Sequence, residues 1–515
     1  MIRCARLAGR AAPAALVIVT LAGGATVAGQ SGLSLVNAAQ ITLAEQPQIK
    51  LQREQLVSAG GGLQVASGQF DIRLRGTAAR TRNTTPLRVQ DQLPDVTTTL
   101  TNQTNFTLGL DKPLRSGLIL SPTIGVARQD LDVDPLATNR ASVGIGVTQP
   151  LMRGRGTEVV TAGETAARYE VSATTRDLRY TAALSVYQTA VAYWNYVAAY
   201  RTLDIVQASE DRARALVGET QTLIAAGNRP AADIREVNGN LSERMALRIS
   251  YEQALFEARQ VLGLAMGLAA DRAAALPSPV DDFPPLSDTL PTPGDPRMLD
   301  TAMASRADLD ATRQRERETQ VLIAPARDAL RPQVDLQLNF GYSGLAEGAQ
   351  FPGLFSSLAN RVAGPNFLAS VAVSQPKGNN AARGQLLQAE AAHRQIQIRL
   401  DDLSRSIRSN VMVAEDDLAR SAERARLLHD TAALYRTAVE DERQKMQLGR
   451  STIIELVLIE DRLTRNLLDE VSSMAAYASS LAQLRFQTGT LVTGDAPGFL
   501  VTADALTTVP QAGSR

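Results

Sequence analysis

Residues 332–342 read Pro-Gln-Val-Asp-Leu-Gln-Leu-Asn-Phe-Gly-Tyr, and this stretch decides the fold. Val334, Leu336, Leu338, Phe340 and Tyr342 alternate with Asp335, Gln337, Asn339 and Gly341. That is the two-residue period of a strand with one apolar and one polar face. Before it, residues 297–330 hold a helical pattern. After it, a second alternation of Phe367, Ala369, Val371 and Val373 ends at Gln375-Pro376, where proline cannot extend a ladder. Residues 378–448 then run without proline, with Leu400, Leu403, Ile407 and Val411 at helical spacing. At 1.5 Å per residue such a helix is about 110 Å long, too long for a compact domain.

The same order of parts stands in the first half. Residues 37–68 read as helix and lead into Phe70, Ile72 and Leu74, which alternate with Asp71, Arg73 and Arg75. Val143, Ile145 and Val147 return to Gln149-Pro150, and the proline-free run 154–226 carries Leu178, Val186, Ala190, Tyr193 and Val197 at helical spacing. Gly227 and Gly267 match Gly449 and Gly489 at one common offset. At that offset Asp233 falls on Glu455, Ile234 on Leu456, Val237 on Ile459, Leu241 on Leu463, Ile249 on Val471, Ala254 on Ala476 and Leu262 on Leu484. The chain is therefore duplicated. The short helical segments 37–68 and 231–267 together nearly match the long run beside them, and 297–330 and 453–489 together equal theirs. Two short helices stacked end to end would flank each long one and bury a narrow seam. The expected units are a first repeat over 30–270, a proline-rich linker over 271–296, a second repeat over 297–492 and an irregular surface tail over 493–515.

Composition agrees with thin seams: only 4% of residues are aromatic, and aromatics normally supply much of a thick core. Lys plus Arg number 53 and so do Asp plus Glu, without a basic block, so no nucleic-acid footprint is present. Arg3, Arg6 and Arg10 precede an apolar run from Ala11 to Leu21 and small residues up to Ala28, the pattern of a secretory signal peptide over 1–29. The other reading, an uncleaved anchor, is opposed by Pro13 and the pair Gly23-Gly24. The single cysteine, Cys4, would leave with the signal, so neither disulfide nor thiol chemistry is expected.

Exported strands with one apolar face must hide their edges, and a closed barrel does so. Four strands per chain are too few for an open pore, so several subunits must pool them, and their helices with them. The simpler alternative is a soluble coiled-coil protein bearing a small sheet. Residues 97–130 add two further strand-like segments, Phe106–Leu110 and Leu118–Val126, around Lys112-Pro113-Leu114. The expectation is that this pair stays outside the barrel.

With these features in place, the sequence resembles the TolC-like outer membrane factors, exit ducts of efflux pumps and type I secretion. The resemblance runs from about residue 33 to 492 and is carried by Gln-Pro-Leu-Met-Arg-Gly at 149–154, Gly-Asn-Arg-Pro-Ala-Ala-Asp at 227–233, Gly-Arg-Ser-Thr-Ile-Ile-Glu at 449–455, and the closing Gly267 and Gly489. It implies a mainly α fold with membrane β, in which strand pairs and long helical hairpins form a trimeric β-barrel of twelve strands continued by an α-helical barrel. It further implies location in the outer membrane of a Gram-negative bacterium with a periplasmic extension. The implied partners are two further copies, outer-membrane lipid, a periplasmic adaptor and an inner-membrane transporter. Neither cofactor nor metal is implied.

The resemblance also assigns residues. Gly227, Asn228, Arg229, Gly449 and Arg450 would form the adaptor-docking tips. Glu455, six positions past its glycine, would line the pore constriction, while Leu458 stands where a second acid is common. Asp233 would link neighbouring coils, and the latch arginine expected two positions past Gly449 is replaced by Ser451, with Arg450 beside it. Asp233 and Glu455 are also ordinary first-turn acids favoured by the helix dipole. Trp194, with Tyr193 and Tyr196, reads as seam packing rather than a ligand platform.

An enzyme is not expected. His393 and His429 fall on one predicted helix about 54 Å apart, and no phosphate-binding loop, zinc pattern or nucleophile elbow is present. A periplasmic adaptor-like coiled-coil protein is the competing non-enzyme reading; it would flank one hairpin with compact β domains, whereas here two hairpins each follow strands.

Overall fold

The computed structural model describes residues 32–88, 97–132, 136–227, 229–348, 357–359, 362–494 and 498–510. The expected signal segment and Asn228 lie outside them. Two rods dominate: α4 (Ala162–Ala225) with 64 residues and α9 (Asn380–Gln447) with 68. They are about 96 and 102 Å long at 1.5 Å per residue. Both begin later than the proline-free runs. A four-residue helix, α3 (Thr157–Val160), and a turn at Thr161 separate α4 from the strands.

The flanking helices stack in pairs. Beside α4 lie α2 (Pro47–Gly68), preceded by α1 (Leu35–Glu45), and α5 (Asp233–Ala265), followed by the short α6 (Ala270–Ala274). Beside α9 lie α8 (Ala307–Asp328), preceded by α7 (Pro296–Ser305), and α10 (Ile453–Gln487). Because α8 and α10 also pack on α4, the rods form a row of four columns: α2 with α5, then α4, then α8 with α10, then α9.

One joint, built twice, makes the stacking possible. The expected helix 37–68 breaks at Gln46, extended ahead of Pro47, and 297–330 breaks at Arg306. Into these breaks come the ends of α5 and α10. Gly267 (φ +78°) and Gly489 (φ +71°) reverse the backbone, with Leu268 N–H reaching Gly263 O and Thr490 N–H reaching Arg485 O, the pattern of a Schellman cap. A Cβ on Gly267 would stand 2.7 Å from Gln46 Cα, and one on Gly489 2.8 Å from the Ser305 carbonyl carbon. The break residue then caps the arriving helix: Gln46 Nε2 donates to Ala265 O at 2.8 Å, and Arg306 Nη1 donates to Gln487 O at 3.4 Å. Ala265 and Gln487 occupy equivalent places in the duplication.

Six antiparallel strands form one sheet in chain order: β1 (Arg73–Pro86), β2 (Thr98–Pro113), β3 (Ile119–Leu131), β4 (Thr138–Pro150), β5 (Gln333–Glu347) and β6 (Ala363–Ser374). The pair expected to stay outside is thus part of the sheet, as β2 and β3. The reason is register. Leu108 pairs with Ile124, Ile124 with Val143, and Val143 with Tyr342, so the pair continues the apolar face, while Thr107, Gly125, Ser142 and Ser343 continue the polar one. The first half supplies four strands and the second two, which breaks the symmetry of the duplicated strand pairs. Much of the apolar face is uncovered, with Phe106 49% exposed, Phe340 48% and Phe367 64%, while Ala141 is buried near the far end, where Ser357 packs on Gly344. Strands β1 and β6 each keep one free edge, and β1 carries Arg73, Arg75, Arg80 and Arg82.

The thickest core lies at mid-height on α4. Tyr193, Trp194 and Tyr196 are buried there against α1, α5 and the linker. The Tyr193 hydroxyl is 2.9 Å from Leu33 O and that of Tyr196 donates to Pro277 O at 3.0 Å. The tail, expected on the surface, folds back instead, burying Phe499 and Leu506 in the same core as Leu491 and Val492 just before it. Its apolar residues lack a period and so carried no helical or strand signal.

Gly267→Ala or Gly489→Ala should each lower stability by about 2 kcal/mol or more, since the new methyl meets backbone and the left-handed conformation costs about 1–2 kcal/mol. Gly218→Ala, on an exposed face of α4 with open space around it, should instead stabilise by up to about 1 kcal/mol. Thermal unfolding of the three variants checks this; equal effects would remove the joint from the account.

Candidate functional site

The far ends of the two hairpins meet in one tip, remote from the sheet. Helix α4 ends at Ala225 and Gly227 (φ +76°) turns the chain; α9 ends at Gln447 and Gly449 (φ +67°) does the same. The second turn is fully capped, with Gly449 N–H on Met446 O at 3.0 Å and Arg450 N–H on Lys445 O at 2.8 Å. Beneath the turns Leu216 and Val237 of the first hairpin pack on Met446, Ile453 and Leu456 of the second. This plug holds the two tips side by side.

The start of α10 is a capping box. Thr452 Oγ1 accepts from Glu455 N–H at 3.2 Å, and Glu455 Oε2 accepts from Thr452 N–H at 2.9 Å. The buried Ser451 hydroxyl, with one proton to share, lies 2.9 Å from the same Glu455 oxygen and also contacts Glu442, which pairs with Lys445 at 3.0 Å. The Thr452 N–H, then the Ser451 and Thr452 hydroxyls, hold the Glu455 carboxyl below its usual range. The Ser451 hydroxyl, then Lys445, lower Glu442. The knot therefore keeps its negative charge under mildly acidic conditions.

The assigned residues are distributed as follows. Glu455 is solvent-exposed and satisfies its own helix start, so its first-turn role and its pore-facing role are compatible. Asp233 opens α5, with Arg229 3.9 Å away. The guanidinium of Arg229 crosses between hairpins to donate to Ser451 O at 3.3 Å. The side chain of Arg450 is exposed and makes no ion pair within the chain among the described residues. Glu442 and Lys445 were missed by the sequence reading; their spacing of three on a helix was the only local signal. Between the tips runs an open groove of about 860 Å³ lined by Glu219, Arg229, Pro230, Arg450 and Glu455 among others. Among the described residues no cluster of His, Cys, Asp or Glu could hold a metal ion, and no helix is long and apolar enough to cross a membrane.

No family model and no curated protein sequence matches the chain. Solved structures do. The chain is similar to the outer-membrane channel OprN with a TM-score of 0.64 at 15% identity, over 88% of this chain and 90% of that one. The CmeC outer membrane channel of Campylobacter jejuni gives 0.65 at 11% identity, over 88% and 85%. The outer membrane protein VceC of Vibrio cholerae gives 0.62 at 16%, over 88% and 96%. At these identities the shared feature is the fold, a strand-bearing end continued by long helical hairpins.

Thr452→Ala should cost about 1 kcal/mol at the start of α10, read as faster hydrogen exchange over residues 453–457 with the Gly227 turn unchanged. The folded Glu455 carboxyl titrates lower than the unfolded one, so its cap is complete above about pH 4.3, the unfolded value, and is lost only as pH falls through the lower folded value. Exchange over 453–457 that already rises between neutral pH and about pH 5 would contradict the cap.

Proposed function

We propose that the chain is one subunit of a homotrimeric channel-tunnel in the outer membrane of a Gram-negative bacterium, serving as the exit duct of a tripartite efflux pump or type I secretion system. One observation carries the reading: the sheet and the rods are open at the same two ends, in the same order. Strand β1 follows α2, and β6 precedes α9; β1 and β6 end the sheet, while the α2/α5 column and α9 end the row. Each rod end carries uncovered apolar residues. On α5 these are Met245, Ile249, Phe256 and Leu264; on α9 they are Leu387, Ile398, Val413, Leu427 and Leu434. Both series keep helical spacing, the mark of unfilled seams. A head-to-tail neighbour satisfies the strand edge and the seam at once, and such contacts close into a ring. The apolar sheet face then meets lipid and the polar face lines water.

Within this duct the tips form the narrow end. Three copies of Glu455 ring the constriction and favour cations. Arg450 and Asp233 face the neighbouring copy as latch groups, with Ser451 tied to the Glu455 knot. Gly227, Asn228, Arg229, Gly449 and Arg450 present the docking surface for a periplasmic adaptor, which joins the duct to an inner-membrane transporter. The tail and linker strap the hairpins at mid-height. The reading includes no catalytic role.

The purified mature chain should leave the outer membrane only with detergent, and as a trimer; release with soluble periplasmic protein would sink the proposal. In planar bilayers, Glu455→Ala should weaken cation preference and block by divalent ions. An unchanged preference would take Glu455 out of the pore.

A further inference from the structure

We propose that the β2–β3 hairpin is a wall segment of the membrane barrel, so that three subunits close on eighteen strands and the mouth is as wide as the helical tunnel beneath it. The count of three rests on the channel reading above; the width contributed per subunit does not.

The hairpin has both faces of a barrel wall. Phe106, Leu108 and Leu110 on β2, and Leu120, Ile124 and Val126 on β3, fall in register with Val143, Ile145 and Val147 of β4. Asn105, Thr107 and Gly109, with Ser121, Thr123 and Gly125, fall on the side of Gly144, Gly146 and Ser142. A flap lying outside the wall would have no use for this division.

Its inner turn is also fastened where strands meet helices. Leu114 N–H donates to Leu118 O at 2.8 Å, closing the turn. Arg115 pairs with the buried Glu164 of α4 at 2.9 Å and lies over the Phe70 ring, 4.7 Å from its centroid. Lys112 Nζ donates to Phe70 O at 2.7 Å, and Gly156 N–H to Ser116 O at 3.3 Å. Gly117 (φ +92°) sits so close to the turn after β4 that a Cβ would stand 2.4 Å from Gly154 O. The β2–β3 turn thus rests on the rim of the helical row, beside the turn that follows β4.

Width decides the consequence. Six strands about 4.8 Å apart and tilted about 35–45° cover about 35–41 Å of circumference. Four helix columns at about 8–10 Å spacing cover about 32–40 Å. Sheet and rods match with the hairpin in place. Without it, four strands would cover only about 23–27 Å and the wall would narrow at the membrane. Three such sheets of six strands give a barrel about 36 Å across between backbones. Selection by size is then left to the helix tips rather than to the strand wall.

The test is cysteine labelling of the trimer in lipid nanodiscs, in a Cys4→Ser background, with a charged maleimide. Thr107→Cys and Thr123→Cys, on the polar face, should react about tenfold or more faster than Leu108→Cys and Ile124→Cys, which face lipid, because an apolar surrounding suppresses the thiolate. Electron microscopy of the unmodified trimer should show eighteen strands. A trimer whose two faces label alike, or whose barrel holds twelve strands, overturns the wide mouth and leaves the channel standing. A chain that forms no trimer ends both.

Discussion

The joint at Gly267 and Gly489 is the constraint on which the rest of the structure depends. A rod of about 100 Å cannot be covered by one partner of ordinary length, so each long helix is covered by two, and two helix ends must then meet without leaving a gap. A helix terminus brings orphan carbonyls with it, and these need donors. The duplicated solution supplies them from a side chain at the opposing break, Gln46 in one half and Arg306 in the other. It also requires a residue without a side chain where the backbones touch. Because both halves use the same joint, and Gly227–Gly267 and Gly449–Gly489 are equally spaced, the tips arrive side by side, where Leu216 and Val237 can reach Met446 and Leu456.

Seams, rather than a globular core, hold most of the chain. The scarce aromatics are concentrated where the chain is thickest: Tyr193 and Trp194 pack at 5.4 Å, Trp194 and the linker's Phe283 at 5.8 Å, and Tyr187 stacks on Phe486 at 5.2 Å. The linker is strapped to the second hairpin as well, by Ser287 N–H on the Tyr477 hydroxyl at 3.0 Å and Gly294 N–H on the buried Glu415 at 2.6 Å. Elsewhere the apolar stripes on α5 and α9 stay uncovered in a single chain. These stripes and the open strand edges are what a neighbour would satisfy.

Much of this was legible in the sequence. Periods of two and of 3.6 marked β5, β6 and both long helices, prolines marked where strands give way, and the glycine spacing disclosed the duplication. Two features were not legible. The β2–β3 hairpin was expected outside the barrel, and a strand's own pattern is a poor guide to such membership: even in β1, Arg80 and Arg82 fall on the face that begins with Leu74. Membership in a sheet is decided by register with neighbours, which one strand's pattern does not contain. The second is the crossing from Arg229 to Ser451, which joins residues far apart in the chain. Local periodicity carries no signal for such a pair, and only the folded plug brings it together. The Glu455 capping box, by contrast, was implicit in Thr-Ile-Ile-Glu at 452–455.

The arginines of β1 bear on how copies of the chain would join in the proposed ring. Arg75 is committed to Asp111 at 2.7 Å, but Arg73, Arg80 and Arg82 remain along the rim of the sheet. Two β1 rims meeting antiparallel would bring cation against cation, a self-repelling arrangement. The opposite rim, β6, has no basic residue between Ala363 and Ser374 and offers no such conflict. In the proposed ring, symmetric back-to-back pairing is thereby penalised, and the polarity of assembly follows from the charge of a single strand.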